Sequence, residues 1–272
     1  MPAFIRLAAI ILVASCASGC ITAITSIKLR PDGGGTIEQT LSMSAAAAAQ
    51  LATLAKGFGG EDQGKASAEP EFFSEGEMKS AATKFGTGVT FVSSTPIKTA
   101  DRVGRVATYA FTDITKLRID QKPQTGDLPA PTEAGGEDML FRFSKSPAGT
   151  STLTVVFPEA QLEEARKEAV EKQGSVTPQV DPAQLAMMKK LFEGLRVEIG
   201  VDVLGTIVKT NSPYVTGSRV TLLEMNFSEL LTNDALLASV AQPKSIEEAK
   251  RLLKDVKGFK VNLDREVTIE FK

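Results

Sequence analysis

This chain of 272 residues contains no histidine, no tryptophan and only two cysteines, both within its first twenty residues. Without histidine there is no His-based triad, no imidazole general base and no imidazole metal ligand. A serine nucleophile would then need a lysine base, yet Ser-x-x-Lys occurs nowhere, nor does a Gly-x-Ser-x-Gly elbow. No Asp-x-Asp-x-Asn-Gly run offers calcium its clustered oxygens. Asp264 and Glu266 alternate with Leu263 and Val267, the pattern of a strand's wet face. Cationic excess is missing as well. The 31 Lys plus Arg stand against 33 Asp plus Glu, a net charge of −2, so no basic face is on offer to nucleic acid. These absences leave no catalytic residue, no metal site and no cofactor to name, and they point away from an enzyme. Only a carboxylate pair assembled in space, as glycosidases use, escapes such a reading.

What is present gives an address first. Arg6, the apolar run Leu7 to Val13 and the small residues Ala17-Ser18-Gly19 before Cys20 form a secretory signal. The run is too short to cross a bilayer, which takes about 20 apolar residues. Small residues leading into a cysteine resemble the lipobox of bacterial lipoproteins. That resemblance implies cleavage before a cysteine that carries acyl lipid such as palmitate, and hence attachment to a membrane through the lipid. Val13-Ala14-Ser15-Cys16 fits the pattern too. Cys20 is preferred, because glycine before the cysteine is the commoner choice in that family and the apolar run is then longer; Cys16 is the alternative. Residues 1–19 would be removed, leaving 20–272 as a single extracytoplasmic domain of the cell envelope, facing the periplasm or the outside. Its core must then hold it without a disulfide, which its size allows. Ile21, rather than Asp, follows the cysteine; by resemblance to enterobacterial sorting this favours the outer membrane where there is one.

Along the rest of the chain, strand pairs alternate with helix pairs. That predicts an α+β fold with a mainly antiparallel sheet of hairpins. Ile21 to Arg30 and Thr36 to Met43 read as strands around Pro31-Asp32-Gly33-Gly34-Gly35. Ser44 stands as N-cap before an Ala-rich helix, Ala45 to Lys56, and Ser74-x-x-Glu77 makes a capping box for a second helix that stops at Gly86. Strands follow over Thr87 to Ile119, then an exposed excursion rich in Pro and Gly from Gln121 to Glu137. Met139 to Phe143 and Leu153 to Phe157 form the next hairpin, turned at Pro147-Ala148-Gly149. Helices are predicted over Pro158 to Lys172, from Asp181, near Leu230 to Val240 and from Ser245. Strands are predicted over Arg196 to Thr210, Arg219 to Phe227 and Lys260 to Phe271. Asp32-x-x-Gly35-Thr36-Ile37-x-x-Thr40-x-Ser42 recurs as Asp202-x-x-Gly205-Thr206-Ile207-x-x-Thr210-x-Ser212. A duplicated hairpin unit would leave such an echo, and so would ordinary turn chemistry repeated by chance.

One place attaches a ligand to named residues. The helix Ala45 to Lys56 has almost no polar face, so it is either buried or laid against something apolar. Leu51 and Leu54 lie on it, and Phe58, Phe72 and Phe73 flank it. The first reading is therefore a non-catalytic, lipid-anchored protein binding a lipid or other apolar ligand there. The alternative is an assembly factor that meets an envelope protein partner through the excursion or a sheet edge. A carboxylate-dependent hydrolase is the remote third. Asp32 to Thr36, and Gly205 to Asn211 later, are similar to strand-pair motifs of bacterial envelope lipoproteins, the LppM-like mycobacterial lipoproteins among them. The resemblance implies an α+β domain that handles lipids, and it carries no functional residue across.

Overall fold

The structure is a computed structural model, and it describes residues 21–58, 72–120, 138–158, 194–232, 256–262 and 264–272. Most of these residues are in strands, arranged as two sheets. The larger sheet has eight strands and the smaller five. The centre of the larger is the predicted first hairpin, β1 (Thr22–Leu29) and β2 (Gly35–Ser44), antiparallel with Thr22 opposite Ser42 and Leu29 opposite Gly35. The turn between them is built as its residues suggest. Arg30 and Gly33–Gly34 close it by backbone bonds, the Asp32 carboxylate accepts from the Gly34 N–H at 2.9 Å, and Gly33 takes the positive φ of 87°.

On one side β2 pairs with β4 (Arg102–Phe111), and β4 with the edge strand β3 (Thr90–Lys98). On the other side β1 lies parallel to β8 (Arg196–Val203). This pair joins segments more than 170 residues apart and interrupts an otherwise antiparallel arrangement. Beyond β8 come β11 (Arg219–Asn226), the short β10 (Val215–Thr216) and β12 (Phe259–Val261). The smaller sheet, β5-β6-β7-β13-β9, holds β5 (Arg118–Ile119), the predicted hairpin β6 (Met139–Lys145) and β7 (Ser151–Val156), then β13 (Glu266–Phe271) and β9 (Ile207–Thr210).

Alternation places the core. Ile27 and Leu29 of β1, Ile37, Leu41 and Met43 of β2, Tyr109 and Phe111 of β4 and Val201 and Val203 of β8 point to one face. There they join Met139, Leu153, Val155, Ile269 and Phe271 of the smaller sheet in one buried cluster. Three α-helices and a separate 3-10 turn, Ile114–Lys116, complete the described part: α1 (Ala45–Phe58), α2 (Glu75–Ala81), which runs on as a 3-10 turn to Phe85, and α3 (Phe227–Leu230). Both elements of the capping box are formed, since Ser74 accepts from the Glu77 N–H and Glu77 accepts from the Ser74 N–H.

Several expectations need correction. Arg196 to Thr210 is not one strand: it breaks at Leu204–Thr206, and its halves belong to different sheets. Lys260 to Phe271 divides in the same way into β12 and β13. In the second stretch apolar residues keep to the odd positions from Val261 to Phe271, so local pattern does not reveal that the chain changes sheets; in the first, Val203-Leu204 and Gly205 mark the break without showing that a second sheet follows. The echo beginning at Asp202 therefore does not repeat the first hairpin. Asp32 sits in a turn whereas Asp202 is a strand residue, and Ile207 pairs with Phe271 rather than back onto β8. What Gly205 to Asn211 does is tie β9 to β13. A Cβ on Gly205 would lie 2.2 Å from the Lys272 carbonyl oxygen, and the Asn211 amide bonds the backbone of Glu266 and Thr268. The excursion Gln121 to Glu137, the helices predicted over Pro158 to Lys172 and from Asp181, and the one from Ser245 lie outside the described residues, save 158, 194, 195 and 256. Of the helix expected near Leu230 to Val240, only the start is described.

Candidate functional site

Of the residues expected to line an apolar site, Leu51, Phe72 and Phe73 are placed by the structure at the core cluster. Helix α1 follows directly from β2: the Ser44 hydroxyl accepts from the Ala47 N–H at 3.1 Å, and the Ala45 N–H donates to the Asp101 carbonyl at 2.9 Å. Ala47 and Ala48 are buried, whereas Ala46, Ala49 and Thr53 are exposed. Leu51 is half-buried and packs on the core cluster, as does Phe72, while Phe73 is a buried member of it. Leu54 and Phe58 fall within the helix, and their side chains are outside the described residues.

What holds Phe73 in place was not legible beforehand. Phe73 adopts a φ of 60°, rare for a residue with a Cβ, just before the Ser74 cap. Its carbonyl accepts from Arg105 Nε at 2.8 Å, and Arg105 Nη1 donates to Ser94 at 3.0 Å. Arg105 is buried on the core face of β4, at a position where alternation would place an apolar residue. Four residues on, Tyr109 is fully buried and donates its hydroxyl to the Met78 carbonyl at 2.9 Å, fastening α2 to the sheet. Phe85 lies against the Tyr109 ring with centroids 4.8 Å apart, and Phe91 meets it edge-on at 6.0 Å. Burial pushes the Tyr109 phenol up to about 12. Two polar side chains of β4 thus clamp the Phe73–α2 segment over the apolar face.

The opposite face of the larger sheet carries a line of charge. Lys260 on β12 reaches Glu224 on β11 at 2.8 Å, and Arg196 on β8 bonds Glu198 at 2.9 Å, with Glu224 at 4.0 Å. Arg219 on β11 bonds Glu198 at 2.7 Å and Asp202 through its other amino group. Ser26 on β1 accepts from Arg219 at 2.8 Å and donates to Asp202 at 2.5 Å. Gly200 stands between Glu198 and Asp202 on this face. The Arg219 guanidinium lies over it, where a Cβ would come within 2.7 Å of Cζ. Each carboxylate is committed to an arginine or a lysine. The arrangement is cross-strand pairing on a half-buried face rather than an acid and a base left apart for catalysis. Among the described residues, no group of three or more His, Cys, Asp or Glu is placed to hold a metal ion. Asp264 is exposed in a turn, and Glu266 pairs with Arg142.

Cys16 and Cys20 lie outside the described residues, which begin one residue later at Ile21. No described helix is long and apolar enough to cross a membrane, a statement that does not bear on β-barrels. No protein-family model matches the chain, and no similar curated protein is found. Among solved structures, the NMR structure of the folded domain of the LppM protein of Mycobacterium tuberculosis is similar over 93% of this chain and 90% of that one. The TM-score is 0.32 and the sequence identity 10%. At that score the likeness transfers neither a residue nor a role.

Proposed function

We propose that the chain is a non-catalytic protein of the cell envelope, anchored through lipid on Cys20, whose domain binds a lipid or other apolar ligand beside α1. The observation that carries this is that Leu51 of α1 and Phe72 pack on the core cluster to which Phe73 belongs, and that α1 has no charged residue from Ala45 to Ala55. The clamp by Arg105 and Tyr109 supports it, because it holds aromatic side chains at the edge of an apolar face through two polar bonds. The lipobox pattern at Ala17 to Cys20 supports the anchor, and Ile21 after it favours the outer membrane where there is one.

Native mass spectrometry of the mature protein tests the ligand. An adduct of lipid mass is expected to accompany the chain, and to be lost when Leu51 or Leu54 is changed to Asp in protein that still folds by circular dichroism. A bare mass for protein taken from its own envelope would remove the reading. The partner-protein alternative has one observation in its favour: Leu204, Val208 and Val215 are exposed apolar residues, all on the segment that links the two sheets. A photo-crosslinker at Val208 that captured the same envelope protein reproducibly, together with a bare native mass, would favour that alternative.

A further inference from the structure

We infer that the domain stands edge-on upon the bilayer. The end of the larger sheet at which β1 begins faces the lipid headgroups, and the first turns of α1 lie in the interface. This rests on the reading of Cys20 as the lipidated residue, and it adds a docking surface and an orientation to it.

The reach of the chain is the first argument. Ile21 is already fixed to the fold, because its carbonyl accepts from the Arg196 N–H at 2.9 Å. Cys20 is its covalent neighbour, and consecutive Cα atoms are about 3.8 Å apart. A lipid on Cys20 therefore has no tether, and the strand ends around Ile21 are held at the membrane surface. The register says which residues those are. Thr22 stands opposite Ser42 and Arg196, Ser42 opposite Gly104, and Arg196 opposite Asn226. The next positions outward are Ser44 with Arg102, the β3–β4 turn through Asp101, and the start of α3.

Helix α1 begins at this same end. Its outward residues Ala46 and Ala49 are exposed and uncharged, and the exposed Thr53 turns its hydroxyl back to the Ala49 carbonyl at 2.8 Å. At this end of the sheet the described terminal positions carry Lys98, Arg102, Arg196 and Lys257 against Asp101 and Glu229. Among the described residues at this end cations thus outnumber acids, Arg196 being engaged by Glu198, although the whole chain has a net charge of −2. That composition suits anionic headgroups with a shallow apolar contact beneath them. An alanine-rich helix would bind a membrane feebly on its own. Held beside the surface by the anchor, it makes a second, intramolecular contact at millimolar effective concentration, so a weak surface suffices. The turn after β1 and Leu204 lie at the other end, roughly 25 Å away for eight strand residues.

The absence of tryptophan makes the test clean. Mature chain from Cys20 to Lys272, whose one thiol is Cys20, is coupled to maleimide-headgroup lipid in vesicles of phosphatidylcholine and phosphatidylglycerol with brominated acyl chains. Single tryptophans report contact: Ala49→Trp and Thr53→Trp on α1, and Leu204→Trp at the far end, each first checked for native circular dichroism. Tethered Ala49→Trp and Thr53→Trp are expected to shift to the blue and lose about half of their emission or more, as an interfacial helix does, with Leu204→Trp unaffected. Equal, negligible quenching at all three positions would overturn the orientation, and so would quenching at Leu204→Trp alone. Chemical coupling makes this outcome independent of whether cells lipidate Cys20. The mass of the amino-terminal peptide from the native envelope decides that separately.

Discussion

The two faces of the eight-stranded sheet are held by different physics. On the inner face, side chains from both sheets are almost wholly apolar, and three of the polar groups buried there, Arg105, Gln39 and Tyr109, lie under or beside the Phe73–α2 segment. On the outer face the strands are stitched by ion pairs from Lys260 through Glu224, Arg196, Glu198 and Arg219 to Asp202 and Ser26. The difference teaches that burial of apolar surface sets the stability of the inner face. The outer face sets the order and register of strands that are far apart in sequence. Those three polar groups then have a positional task, holding α2 and its aromatic neighbours in place.

Breaking the inner face should cost most. Ile27→Ala removes a fully buried side chain at the centre of the core, and it is expected to lower unfolding stability by about 3 kcal/mol in urea titration. Arg219→Met on the outer face leaves Glu198 and Asp202 without their shared cation, both on a half-buried surface. About 2 kcal/mol should be lost, and the double change Arg219→Met with Asp202→Asn should recover part of it.

Tyr109 sharpens the contrast by pH. Its folded value is about 12 against an ordinary value of 10.0. Between those values the unfolded phenol has released its proton while the folded one retains it. The linked stability is therefore fully present below about pH 10 and is lost as the pH rises towards 12. Tyr109→Phe should abolish that alkaline loss while costing about 1 kcal/mol at neutral pH, where the bond to Met78 is missing. Phenolate absorbance reads this directly, because Tyr214 is the other tyrosine and can be replaced by Phe. The smallest effect belongs to Lys28 and Glu38, a pair 3.0 Å apart and each more than 40% exposed. Lys28→Met should change stability by under about 0.5 kcal/mol, and less still at high salt.

How much of this the sequence discloses follows from the same division. A strand with one buried face writes itself as alternation, so β1, β2, β6 and β7 and their turns are legible, as are the Ser44 and Ser74 caps. Arg105 is not legible, because a lone arginine between Gly104 and Val106 reads as the wet face, whereas here it is the inner one and Val106 points outward. The break at Asn262–Arg265 is hidden for a related reason, since apolar residues keep to the odd positions while the chain passes from one sheet to the other; at Leu204–Thr206 the glycine signals a turn but not the change of sheet. Partnership across long separations is invisible as well, so the parallel contact of β1 with β8 and the Arg219 cluster emerge only in three dimensions. Of the candidate site, Leu51, Phe72 and Phe73 were nameable because helix periodicity and nearby aromatics mark an apolar surface. Their clamp was not, since it depends on β4 residues more than 30 positions away.

The anchor at Cys20 underlies both the proposed function and the edge-on orientation, and one measurement addresses it: the mass of the amino-terminal peptide of protein extracted from its own envelope in detergent. The account predicts a chain beginning at Cys20 with acyl lipid on its sulfur, unchanged by Cys16→Ser and abolished by Cys20→Ser. An unmodified amino terminus, or lipid on Cys16, would contradict it.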